Sequence, residues 1–311
     1  MASLPKRITK SSLKSFLDSF DNVLTDCDGV LWTGDDVIGK ANTTLNHLQK
    51  LGKKVFLVTN NSTKSREDYV LKCEKLGFEI PSKEHIVSSG YVLAEYLRQQ
   101  NFKKKVYVVG TPGMCKELEN VGVSCFHVGG EQTEGNVLNM IADIKLDPEV
   151  GAVAVGFDPH FCFPKIMRAG SYLNNPECLF LATNTDERFP VANGPLVFPG
   201  TGCLVRCVET VAERPPIIMG KPSPKMFSVI SEKNNLLPSR TLMIGDRSNT
   251  DILFGKNCGL HTLVVLSGVT SMSDLETWAA STDTEKHRLL ADYYLEEIGD
   301  LLSLLNADKA E

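Results

Sequence analysis

The feature that most constrains this chain is an alternation of short, unbroken apolar runs with segments of helical period. NVLT before Asp26, VFLVT ending at Thr59, VYVV ending at Val109, GAVAVGF, CLFLAT, TLMIG and HTLVV are all too short for a stable helix and lack polar alternation. Such runs read as strands buried on both faces, the signature of a parallel sheet covered by helices. Helix-like stretches stand between them, among them NTTLNHLQKLG with its glycine stop, DYVLKCEKLG, YVLAEYLRQQ and DILFGKNCG. The alternation predicts an α/β fold with a parallel sheet.

At 311 residues the chain exceeds the size at which one core keeps growing, so two lobes are expected. Both ends contribute strands of one sheet, and a second α/β series lies between them, with Pro and Gly punctuation at PLVFPGTG marking the return crossing. Residues 1–90 and 206–311 are therefore expected to form the core, and residues 91–205 an inserted domain. A net charge of −5 argues against nucleic acid as the main partner. No apolar run approaches the roughly 20 residues a membrane span needs. Nine cysteines without a CxxC pair suggest neither a disulfide framework nor a zinc site, so reduced thiols and a cytoplasmic location are expected. Cys203 and Cys207, four apart, read as ordinary helix packing.

Chemistry gathers at the strand ends. Asp26-Cys27-Asp28-Gly29 follows the first long apolar strand, where open α/β sheets place their ligand crevice. Two carboxylates so close repel unless a cation lies between them or their pKa values separate; a turn with capping aspartates is the plainer reading of this motif alone. Thr59, Asn60 and Asn61 end the second strand, where a hydroxyl and exposed amides can cradle an anion, or simply form a turn. Lys221 precedes a proline-started helix, ordinarily a solvated charge. Asp246 and Asp251 follow a third strand and can complete an oxygen-rich site for a hard cation such as Mg²⁺. Cys27, between the two aspartates, reads as core packing.

In this order DCDGV, VTNNS, GKPSP and GDRSNTDI resemble the four motifs of the haloacid dehalogenase (HAD) superfamily of phosphotransferases. The long interval from Ser62 to Lys221 resembles the branch with an α/β cap of the C2 type inserted between the second and third motifs. GFDPHFCFPK, ATNTDERFP and PGTGCLVRCVE are similar to eukaryotic phosphoglycolate phosphatases, also called 4-nitrophenylphosphatases, with pyridoxal phosphate phosphatases a close second resemblance.

The resemblance implies a Rossmann-like HAD core with a parallel sheet plus the inserted cap, and a Mg²⁺-dependent phosphomonoesterase working through an aspartyl phosphate. It makes Asp26 the nucleophile and Asp28 the general acid and base. It gives Mg²⁺ to Asp26, the Asp28 carbonyl and Asp246, with Asp251 in the outer shell. Thr59, Asn60, Asn61 and Lys221 would meet the phosphoryl group. A small phosphorylated metabolite is the implied partner, 2-phosphoglycolate first, with pyridoxal phosphate or a phosphoprotein as alternatives and 4-nitrophenyl phosphate as an in vitro substrate. A homodimer through the cap is also implied. An idle interaction module with the same fold is disfavoured by the intact carboxylates. Phe189 lies where pyridoxal phosphate phosphatases carry His, so it is expected to line the substrate site and favour the smaller ester.

Overall fold

A computed structural model describes residues 2–127, 129, 141, 144–189 and 195–308, which divide into two compact units. Unit 1 comprises residues 1–59, 67–87 and 221–311, and unit 2 residues 60–66 and 88–220.

Unit 1 is built on a seven-stranded sheet. In chain order its strands are β1 (Lys6–Arg7), β2 (Asn22–Thr25), β5 (Lys54–Thr59), β6 (Ile86–Ser88), β12 (Thr241–Gly245), β13 (His261–Val265) and β14 (Tyr293–Leu295). Their spatial order is β1-β14-β13-β12-β2-β5-β6. Every residue of β2 and β12 is buried, as expected for central strands covered on both faces. Helices α1 (Lys10–Asp18), α2 (Ala41–Lys50) and α3 (Arg66–Lys75) supply Leu13, Phe16, Leu45, Leu48, Tyr69 and Cys73 to one core with Val23, Val55 and Leu57. A short antiparallel hairpin, β3 (Trp32–Thr33) with β4 (Asp36–Val37), follows β2.

Chain order sets the working end of this sheet. β2 lies between β5, the next long strand, and β12, which arrives much later, so connections diverge on either side of β2 and leave a crevice at the carboxyl ends. Thr25 pairs with Ile244 and with Leu57, which brings the ends of three strands level.

Unit 2 holds a second, five-stranded parallel sheet: β7 (Lys105–Val109), β8 (Cys125–His127), β9 (Val150–Val155), β10 (Leu179–Ala182) and β11 (Ile217–Ile218), ordered β11-β10-β9-β7-β8. Helices α4 (Ser89–Gln99), α5 (Pro112–Asn120), α6 (Phe163–Leu173) and α7 (Thr201–Ala212) accompany it. The expected return to the core at residue 206 is corrected to residue 221. Val205 and Val208 of α7 are buried in the unit 2 core, and β11 pairs with β10, so residues 206–220 complete this sheet instead of leaving it. The first boundary falls at residue 88 against the expected 91, and residues 60–66 also group with unit 2. Among the described residues no helix is long and apolar enough to cross a membrane.

Candidate active site

The turn after β2 is wound around one carbonyl. The Cys27 oxygen accepts hydrogen bonds from the amides of Val30, Leu31 and Trp32, and the Gly29 amide donates back to the Trp32 oxygen. Gly29 has φ +89, a left-handed conformation that side-chain-bearing residues rarely adopt. It is also pressed against another group of the site: a Cβ there would stand 2.6 Å from Asp246 Oδ2. Cys27 is fully buried, and burial first, then the fields of Asp26 and Asp28, pushes its thiol well above the ordinary range. It is an inert packing residue, as its alternation with the aspartates indicates.

The Asp26 amide donates to the Ile244 oxygen at 2.9 Å, fixing Asp26 beside the end of β12, where Asp246 begins. Asp246 Oδ2 accepts the Val269 amide at 2.9 Å, and Gly268 leaves room for that carboxylate, since a Cβ there would collide with it. Asp251 sits on a π-helical turn, Ser248–Ile252, fully buried, with Oδ2 accepting the Arg247 amide at 3.1 Å.

Lys221 joins these elements. Its ammonium lies 2.8 Å from Asp26 Oδ1 and 2.8 Å from Asp251 Oδ1, ion-paired with both, and donates to the Val58 carbonyl at 2.8 Å. The side chain is 1% exposed, so it is not the solvated surface charge that a lysine before a helix usually is. Burial works against its charge, but Asp251 and Asp26 outweigh burial and raise its pKa.

Three carboxylates face this one ammonium. Oxygens of Asp26, Asp246 and Asp251 all lie within 4.8 Å of one another. Burial, reinforced by Asp251 and Asp246 and opposed by Lys221, pushes the Asp26 carboxyl well above the usual range. Burial and Asp251 push Asp246 up to about 7. This surplus of buried negative charge, built wholly from oxygen donors, fits a hard divalent cation.

The remaining residues singled out by the sequence fall in one unit or the other. Thr59 is buried at the end of β5, and a side-chain hydrogen bond links it to Tyr69, a buried phenol within the field of Asp28 and Asp26. Asp28 is half-buried, and its Oδ1 accepts the Trp32 indole N–H at 3.0 Å. Asn60, Asn61 and Phe189 belong to unit 2. Asn60 Nδ2 donates to Asp186 Oδ2 at 3.0 Å, and Asn61 Oδ1 accepts from the Thr63 amide and hydroxyl, forming a local turn. Phe189 packs in an aromatic trio, its ring centroid 5.2 Å from Phe157 and 5.6 Å from Phe198. Cys203 and Cys207 are both exposed on α7, against the expectation that they pack: the buried face of that helix is carried by Leu204, Val205 and Val208.

Sequence reading passed over Trp32, Tyr69, the Val58 carbonyl and the Val269 amide. Backbone groups leave no residue-type signal. The run SGVT after the strand HTLVV did offer one, since it ends a fourth parallel strand at the same edge.

Residues 23–124 match the family described as haloacid dehalogenase-like hydrolase, and residues 218–293 the HAD-hydrolase-like family. The chain is 40% identical over 306 residues to the glycerol-3-phosphate phosphatase of Rattus norvegicus, covering 96% of this chain and 95% of that protein. It is 37% identical over 302 residues to chronophin of the same organism, covering 96% and 92%. Among solved structures, the 4-nitrophenylphosphatase of Thermotoga maritima superposes with a TM-score of 0.75 at 27% identity, covering 92% of this chain and 98% of that one. With four strand-end motifs converging as that family requires, the chain belongs to the haloacid dehalogenase-like hydrolases, among the phosphatases of the 4-nitrophenylphosphatase type.

Proposed function

We propose that this protein is a Mg²⁺-dependent phosphomonoesterase of small aliphatic phosphate esters, acting through an aspartyl phosphate on Asp26. The observation that carries this reading is the Lys221 ammonium, 2.8 Å from Asp26 and 2.8 Å from Asp251, inside a cluster of buried carboxylates. A carboxylate cannot approach a phosphate dianion without charge compensation, and this arrangement supplies part of it.

A Asp26 oxygen attacks phosphorus as the ester oxygen departs, which replaces one hard displacement with two easier ones. Asp28 gives its proton to the leaving oxygen, then takes one from the water that attacks phosphorus, releasing inorganic phosphate and restoring Asp26. Lys221, Thr59 and the main chain of Asn60 and Asn61 bind the phosphoryl oxygens. Mg²⁺, held by carboxylate oxygens of Asp26 and Asp246 with the Asp28 carbonyl, would supply further charge neutralisation and fix the phosphoryl orientation. The bonds from Asp251 to Lys221 and to the Arg247 amide support an orienting role for it outside the ligand set.

For substrate, 2-phosphoglycolate and glycerol 3-phosphate are the candidates. The second draws support from the 40% identity to a glycerol-3-phosphate phosphatase. The reading of Phe189 as a substrate-site residue, which rests on the resemblance, also favours a compact ester, because a phenylalanine side chain has no group to hydrogen-bond a polar ring.

The test is Asp26→Asn, which is near-isosteric. Phosphate release from 4-nitrophenyl phosphate with Mg²⁺ should vanish while the melting temperature changes little, and acid-quenched wild-type enzyme should carry phosphate on the peptide containing Asp26. Retained turnover in the variant would refute the covalent mechanism.

A further inference from the structure

Trp32 is fully buried, and its indole nitrogen lies 3.0 Å from Asp28 Oδ1. Its ring is fixed independently of that bond. Phe78 meets it edge-on at 5.5 Å, and the Lys72 ammonium stands 4.4 Å over its face while donating to the Gly34 carbonyl at 2.7 Å. The backbone is fixed as well, since the Trp32 oxygen accepts the Gly29 amide and Trp32 pairs with Val37 across the hairpin. A buried indole N–H without a partner is costly, so the ring holds the Asp28 carboxyl in place through this bond.

An indole nitrogen can donate but never accept. Asp28 Oδ1 therefore accepts this bond, and because a carbonyl-type oxygen is the better acceptor, the bond favours Oδ2 as the oxygen that exchanges a proton. We propose that Trp32 is a positioning residue for proton transfer: by holding Asp28 Oδ1 it fixes the Asp28 rotamer and favours Oδ2 as the oxygen that meets the leaving group. This rests on the reading of Asp28 as the general acid.

A packing role and a positioning role make different demands on the leaving group. Nitrophenolate is stable as an anion and departs with little help, whereas the alkoxide of glycerol 3-phosphate needs a proton as it leaves. Trp32→Phe keeps the ring between Phe78 and Lys72 and removes only the donor. It should lower kcat for glycerol 3-phosphate by roughly tenfold, the scale on which outer-shell partners act. The loss for 4-nitrophenyl phosphate should be several times smaller, and KM should move little for either. In an Asp28→Asn background, Trp32→Phe should add no further change to the ratio of the two rates. Lys72→Met, which removes the ammonium over the ring and leaves the indole bond, should preserve the wild-type ratio.

Equal losses on both esters in Trp32→Phe, a further fall in the ratio in the Asp28→Asn background, or the same ratio change from Lys72→Met would each overturn the assignment. Asp28→Asn measured alone separates the two levels. An unselective loss there removes the acid role of Asp28 and this proposal with it, while a loss confined to the alkyl ester there, beside an unselective one in Trp32→Phe, removes only the role of Trp32. Should Trp32→Phe melt early, 3-benzothienylalanine at position 32 in a Trp278→Phe background replaces the N–H by sulfur in a ring of the same shape, and the same ratio decides.

Discussion

Lys221 carries a charge that its local sequence gives no reason to bury, since GKPSP reads as an exposed turn before a helix. It is buried because three acceptors from three parts of unit 1 converge on its ammonium. Lys221→Met keeps the volume and leaves Asp26 and Asp251 facing each other without a cation. Removing one partner of a buried ionic group typically costs about 3–5 kcal/mol. Urea unfolding in the presence of a chelator should show a loss of that size together with the loss of phosphatase activity. At Phe189 the expected change concerns selectivity. Wild-type enzyme should prefer 2-phosphoglycolate to pyridoxal phosphate in kcat/KM, and Phe189→His should narrow that preference by roughly three- to tenfold, the worth of about one hydrogen bond. An unmoved ratio would show that Phe189 only packs against Phe157 and Phe198.

Among the elements, α5 is the one whose surroundings explain a motif. It holds residues 60–66, the stretch that begins with Asn60 and Asn61, at three points. The Thr111 hydroxyl before the helix donates to the Thr63 carbonyl at 3.1 Å, Gly113 lets the helix approach that same carbonyl, and Glu117 accepts the Arg66 amide at 2.6 Å and pairs with its side chain at 3.1 Å. The Arg66 guanidinium also stacks on Tyr91, 3.6 Å from its ring centroid. With side chains only 9% and 1% exposed, this pair differs from the surface pair of Lys75 and Asp35, exposed by 65% and 67%. Glu117→Gln should therefore destabilise the protein by about 3–5 kcal/mol in urea titration, because a buried guanidinium loses its counter-charge. Asp35→Asn should leave the midpoint almost unmoved, as exposed pairs generally do.

At the scale of the whole molecule, a cation held by the clustered carboxylates would couple its binding to folding. An unfolded chain scatters Asp26, Asp246 and Asp251 over a sequence interval of more than two hundred residues, so a cation bound to the folded cluster stabilises the native state alone. Melting temperature should rise with Mg²⁺ concentration, corresponding to about 2.7 kcal/mol at a hundred times Kd. Asp246→Asn should abolish most of that rise, and a wild-type melting curve indifferent to Mg²⁺ and to chelator would contradict a metal site. The sequence by itself determined the parallel α/β architecture and pointed to the charged residues that cluster at the strand ends, because buried strands must read as continuous apolar runs and polar residues just past their ends stand out. Tertiary structure alone decided that residues 206–220 stay with the second sheet, since only the pairing of Ile217–Ile218 with Leu181–Ala182 holds them there. It also decided that Lys221 is buried between carboxylates, that Asp246 is seated by the Val269 amide, and that Trp32 reaches Asp28, since each depends on backbone groups or side-chain directions that residue identity does not encode.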